Sequence, residues 1–389
     1  MNKDYELICI VRFPLALLVV LLHAEPMIDG WNPQYMLSEN IGANIAGSVM
    51  YSLSHILAQI AVPAFFLISG YLFFKKLEKW DKSVWKRKLV SRFWSIVVPY
   101  VICIAVFSAK HLISHYNAGD LVIWLRGQGG LLNLFWSSEH WIAGQNNIFG
   151  QAVMMSGPAA YHLWFLRDLI IAVLLTPIIY ILFAMRGGNR RRWSVLWLII
   201  CGILNLSRVQ TPVPGINFSA LFYFGFGSFL SLNRIDLHDA FYKFRHILGV
   251  LFILLYFFLI PLDGSRSQIG TYIMPFENLI GVMCVINLAS YCITTKLSTG
   301  ILRRYEKTSF FMFIIHPFFL AVVWKLLSVS MRRLFGDADI TGIEFVNSHP
   351  ILTLTLFFTK IILAAVMSVL TYHGLTRISP RLSKLICGR

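Results

Sequence analysis

Long apolar runs separated by short polar ones make up almost the whole chain. They lie near 8–29, 49–74, 93–115, 161–185, 193–207, 216–232, 246–263, 274–293, 308–330 and 350–374. Most reach the roughly 20 residues that a helix needs to cross a hydrocarbon core of about 30 Å. Backbone N–H and C=O groups at that depth must be satisfied within their own segment, so the runs are predicted to be helices. The pattern predicts an all-α, polytopic transmembrane bundle of about ten spans. The first run has no small-residue cleavage site after it and carries internal polar groups. It is therefore expected to be a retained helix and not a signal peptide.

Two segments depart from plain spans. Residues 116–160 hold Trp124, Trp136, Trp141 and several glycines, and are too polar in places to cross; an interfacial or re-entrant outer loop is expected. Residues 75–92 interleave Lys and Arg with Leu77, Trp80, Val84, Trp85 and Leu89. Helical spacing gathers those apolar residues on one side, as in a helix lying on the inner leaflet. No internal repeat or long linker is present, so residues 1–389 are expected to form a single integral-membrane domain.

Composition agrees with the pattern. Hydrophobic residues make up 57% of the chain, charged residues only 13%, and mean hydropathy is +0.68; soluble domains carry about 25% charged residues. The net charge of +16 could suggest a nucleic-acid partner. The basic residues, however, lie in short loops between apolar segments, whereas phosphate-gripping proteins gather them on a folded polar surface. With the N-terminus inside, alternate loops place 25 of the 34 Lys and Arg on the cytoplasmic side and seven outside. That bias predicts cytoplasmic N- and C-termini. The six cysteines are scattered through apolar runs without metal-ligand spacing and read as small packing residues; no metal is expected.

Ionisable residues inside a span are costly and tend to face a polar cavity or one another. Arg12 and His23 lie eleven residues apart in the first run. At 100° per residue that is three turns plus about 20°, so both project from one face, separated axially by about 16 Å. Arg12 is expected near the cytoplasmic boundary and His23 near mid-membrane, with Glu25 and Asp29 following outward. Headgroup contact for Arg12 and an interhelical hydrogen bond for His23 are the plain structural alternatives. His316 also falls within a span, followed by Pro317, which removes a backbone donor. His162, Trp164 and Arg167 lie at the outer end of their run, where aromatics often anchor the interface; Arg167 and Asp168 could form a local ion pair.

The arginine and histidine separated by ten residues in the first run resemble the most specific mark of membrane-bound acyltransferase family 3. Further pieces resemble its later signatures in the right order: VPAFFLISGYLFF (Val62–Phe74), WKRKLVSRFWSIVVPY (Trp85–Tyr100), HLWFLRDL (His162–Leu169) and SFFMFIIHPFF (Ser309–Phe319). The resemblance spans most of the chain. It implies a multi-pass enzyme of the inner or plasma membrane that moves an acyl group, most often acetyl, from cytoplasmic acyl-CoA to a cell-surface or lipid-linked glycan. The soluble esterase-like domain that some relatives carry is not expected.

Under that resemblance Arg12 is expected to hold a CoA phosphate, helped by Lys86, Arg87 and Arg92, for which headgroup contact is an equal alternative. The pantetheine arm is on the order of 15–20 Å long, comparable to the Arg12–His23 rise. His23 is the expected general base, since neutral imidazole is abundant near pH 7. Glu25, or a carboxylate from another helix, would orient it; an acyl-histidine intermediate is the alternative route. His162, Trp164, Arg167 and His316 are the expected acceptor-site residues. Two other readings stay open. A glycan exporter would not bind acyl-CoA, and an enzyme acting on an amine, peptide or antibiotic would leave surface glycans unchanged.

Overall fold

In the computed structural model, residues 3–24, 40–75, 77, 80–147, 149–184, 190–209, 211, 213–262, 267–297, 299–336 and 339–388 are described. Fourteen helical segments and one hairpin follow in order: α1 Lys3–Leu22, α2 Ile41–Phe74, α3 Lys82–Ala118, α4 Leu121–Gly127, β1 Glu139–Asn146, β2 Ala152–Gly157, α5 Tyr161–Leu174, α6 Thr176–Ala184, α7 Arg190–Leu206, α8 Phe218–Leu232, α9 Tyr242–Leu259, α10 Gln268–Thr294, α11 Gly300–Phe335, α12 Ile343–Ser348, α13 Pro350–Ile378 and α14 Pro380–Ile386. The architecture is an all-α polytopic bundle. Among the described residues seven helices are long and apolar enough to cross a membrane, or eight if the bent α5–α6 pair is one span. α7 and α8 are apolar but shorter. Together these helices occupy the positions of the ten apolar runs.

Packing divides the chain into two compact units: residues 1–64 with 237–374, and residues 65–236 with 375–389. In the first, α1 buries Leu7, Ile8, Val11, Leu15, Ala16, Val19 and Val20 in the core. α9 instead exposes Ile247, Val250, Ile253, Leu254, Phe257 and Phe258, the surface of a helix that faces lipid.

α1 starts earlier than its apolar run. The buried Asp4 carboxylate accepts the His238 backbone N–H at 3.0 Å, and Asp4 and Glu6 place negative charge in the first turn, where the helix dipole favours it. Arg12 therefore lies about 14 Å, and His23 about 30 Å, from the helix start. His23 thus stands just past Leu22, the last helical residue of α1.

α2 is irregular where it meets α1. A π-helical turn, Ser52–Ile56, is followed by a 3₁₀ turn, Leu57–Ile60. Ser52 and Ser54 hydroxyls donate to the carbonyls of Val49 and Met50, back-bonding that loosens a helical ladder.

In the second unit, α2 and α8 cross at glycines. A Cβ on Gly70 would stand 2.0 Å from the Phe224 carbonyl oxygen, and one on Gly227 would stand 1.9 Å from that of Leu67. Small residues allow such backbone contact between membrane helices. α5 and α6 meet at 56°. Pro177 offers no N–H to the Val173 carbonyl, and the Thr176 hydroxyl donates to it instead, at 2.6 Å. Residues 116–160, expected as an interfacial or re-entrant loop, form α4, a 3₁₀ turn and the antiparallel β1–β2 hairpin, in which Glu139 pairs with Gly157 and Trp141 with Met155.

Candidate active site

Glu6, Arg12 and His23 of α1 all meet α11. Arg12 donates through Nη1 to Glu306 Oε1, with the arginine side chain 31% exposed and the glutamate 13%. Six residues back along α1, nearly two turns, Glu6 pairs with Arg303. Phe13 packs on Tyr305, with ring centroids 5.4 Å apart. Eleven residues beyond Arg12, the His23 ring lies against His316, with centroids 4.8 Å apart and planes at 57°. Arg12 and His23 thus project from one face, as their spacing requires, and both meet α11. Their partners are ten residues apart on α11, so α1 and α11 run side by side in the same direction.

Both imidazoles are tethered through Nδ1. His23 Nδ1 lies 3.0 Å from the Val19 carbonyl oxygen, and His316 Nδ1 lies 2.8 Å from that of Phe313. A carbonyl only accepts, so Nδ1 carries the proton in each ring and the neutral form keeps its lone pair on Nε2. The His316 contact has a local cause. Pro317 cannot donate to Phe313, four residues back, and the neighbouring imidazole replaces the missing amide. His316 is fully buried and His23 half-buried.

Two residues that the sequence left without a role stand in the same unit. Lys360 on α13 donates from Nζ to the Ala24 carbonyl, next to His23, and lies over the Trp324 ring at 5.4 Å. Its position inside a span was the signal that could have singled it out. His55, in the irregular turn of α2, stacks on Tyr51 at 4.7 Å, and its Nδ1 lies 2.8 Å from the Ser54 hydroxyl. Glu306 was hidden as well, because a partner 294 residues away is set by packing. Glu277 on α10 is fully buried, and its carboxylate accepts no hydrogen bond among the described residues. Glu25, a candidate partner for His23, lies outside the described residues.

The remaining candidates belong to the second unit. On the N-terminal part of α3, Val84, Trp85, Lys88, Leu89 and Arg92 are half-buried, whereas Lys86 and Arg87 are exposed, so this stretch is two-sided. Trp85 donates to the Thr176 hydroxyl at 3.1 Å. His162 is buried against Phe107, with centroids 5.1 Å apart, and Trp164 is half-buried. Arg167 forms a buried pair with Asp168 at 2.9 Å. It also donates to the Trp136 carbonyl at 2.8 Å and lies 3.4 Å from the Ser156 hydroxyl. Arg167 thus ties β2 and the turn before β1 to α5, close to Trp164. Among the described residues no three His, Cys, Asp or Glu side chains are grouped to hold a metal ion.

The sequence profile of acyltransferase family 3, described as an acyltransferase domain, matches residues 8–373. The chain belongs to acyltransferase family 3. It is therefore a multi-pass membrane acyltransferase, and the match takes in both rungs between α1 and α11. No curated protein and no solved structure shows significant similarity to this acyltransferase.

Proposed function

We propose that this acyltransferase moves an acyl group, acetyl foremost, from cytoplasmic acyl-CoA to a hydroxyl of an exported or cell-surface glycan at the cell membrane. The observation that carries the reading is the shared face of α1, on which a guanidinium and an imidazole about 16 Å apart both meet α11. Arg12 has donors beyond the one that Glu306 takes, and these are suited to a CoA phosphate. Lys86, Arg87 and Arg92 are further phosphate candidates, and His162, Trp164 and Arg167 are candidates for the acceptor side. His23 Nε2 takes the proton of the acceptor hydroxyl as its oxygen attacks the thioester carbonyl. The C–S bond then breaks, and the imidazolium returns the proton to the departing thiolate. His316 borders the reacting groups.

The test is a labelled acetyl-CoA assay on the purified protein in detergent, reading binding and transfer separately. His23→Ala is expected to abolish transfer and keep donor binding; near-normal turnover in that variant rejects the base assignment. Arg12→Ala is expected to raise the donor Kd about tenfold, the loss of roughly one charge-assisted hydrogen bond. An unchanged Kd removes Arg12 from the donor site.

A further inference from the structure

The described part of α1 ends without a capping glycine. His23 N–H donates to the Val19 carbonyl at 3.3 Å, and Ala24 N–H donates to Leu21 at 3.2 Å, so the last turn tightens around the residue we assign as the base. The final carbonyls of a helix have no partner within it. Ala24 is fully buried, so its carbonyl is also shut away from water. The Lys360 ammonium reaches it from α13 while lying over Trp324, eight residues beyond His316 on α11. One cation thus joins the end of α1, α11 and α13. It also stands at the helix end whose dipole favours positive charge. An ammonium inside a span is costly, and snorkelling to the interface is its ordinary escape. Here it is directed at the residue after His23.

We propose that Lys360 is a positioning residue for His23, holding the terminal turn of α1 so that the imidazole stays against His316. The role rests on the acyl-transfer reading of His23. Lys360 acts through the Ala24 carbonyl and takes no part in bond making.

The experiment pairs Lys360→Met with Lys360→Arg. In the acetyl-CoA assay, Lys360→Met is expected to lower kcat at least tenfold with the donor KM within about twofold, because Arg12 lies three turns away. Lys360→Arg, which keeps a cation and donors, is expected to restore most of kcat. A Lys360→Met protein with wild-type kcat per folded molecule overturns the proposal, whatever its thermal midpoint. A second readout needs no turnover. In a His23→Cys protein, alkylation at position 23 by N-ethylmaleimide, followed by peptide mass spectrometry, is expected to quicken severalfold when Lys360→Met is added, and to stay slow with Lys360→Arg. An unchanged rate overturns the proposal even if acetyl-CoA proves not to be the donor. Wild-type protein without turnover, but with the accelerated alkylation, counts against the acyl-CoA reading alone.

Discussion

An imidazole whose Nδ1 is bound to its own helix has one nitrogen left for chemistry, and its direction is set by the backbone behind it. For His316 that tether exists because Pro317 leaves the Phe313 carbonyl without an amide. Pro317→Ala is therefore expected to have two opposed effects. The helix regains an amide donor and melts higher, while the ring loses its carbonyl to that amide. A hydrogen bond of about 1 kcal/mol makes the expected fall in turnover roughly fivefold, to be checked by steady-state kinetics beside a thermal melt. A rise in both quantities would show that the tether has no part in positioning. At this scale the sequence is informative wherever the chemistry is local. The eleven-residue interval from Arg12 to His23 fixes a common face before any partner is known, and the adjacency of His316 and Pro317 hints at the freed carbonyl. Glu306 and Lys360 could not be assigned that way, because their relation to α1 is made by helix packing.

Whole helices were legible because a long apolar run has few alternatives in lipid. The departures come from single side chains. α1 begins early because Asp4 caps a distant backbone amide, and α5–α6 bends where Thr176 stands in for the missing amide of Pro177. The β1–β2 hairpin was hidden because its strands, EHWIAGQN and AVMMSG, lack steady alternation and carry glycine. The α2–α8 crossing is the sharpest test at this scale. With a backbone oxygen about 2 Å from each added Cβ, Gly70→Ala and Gly227→Ala must push the two helices apart. Each is expected to cost at least 1–3 kcal/mol, read as a lowered midpoint by fluorescence-detected size exclusion in detergent. Gly249→Ala, which meets nothing within 4 Å, is the control expected to melt like the parent. Equal midpoints for all three would mean that the crossing is looser than described.

At the scale of the chain, helix directions constrain the number of crossings. α13 brings Lys360 to Ala24 and, further along, His373 to within 6.5 Å of the Tyr305 ring, so it runs opposite to α1 and α11. The end of α13 near His373 accordingly lies at the level where α1 meets Tyr305. Since α1 and α11 point the same way, the chain between them crosses an odd number of times. If α2, α3, α9, α10 and the α5–α6 pair each cross once, as their length and composition allow, α7 and α8 cross together or not at all. A total of ten spans requires both. Thr211→Cys, between them, is then expected to react with an impermeant maleimide in intact cells; labelling only after lysis would mean that neither crosses. The excess of Lys and Arg in alternate loops was readable from the sequence, whereas this pairing of short helices needed the direction of α11.

The two rungs between α1 and α11 also limit how those helices can slip. Sliding by one turn, about 5.4 Å, would pull Arg12 from Glu306 and His23 from His316 in the same movement. Neither contact can be traded away while the other is kept. Register at the Arg12–Glu306 ion pair is thereby register at the imidazoles, and a misassembled bundle would lose both together.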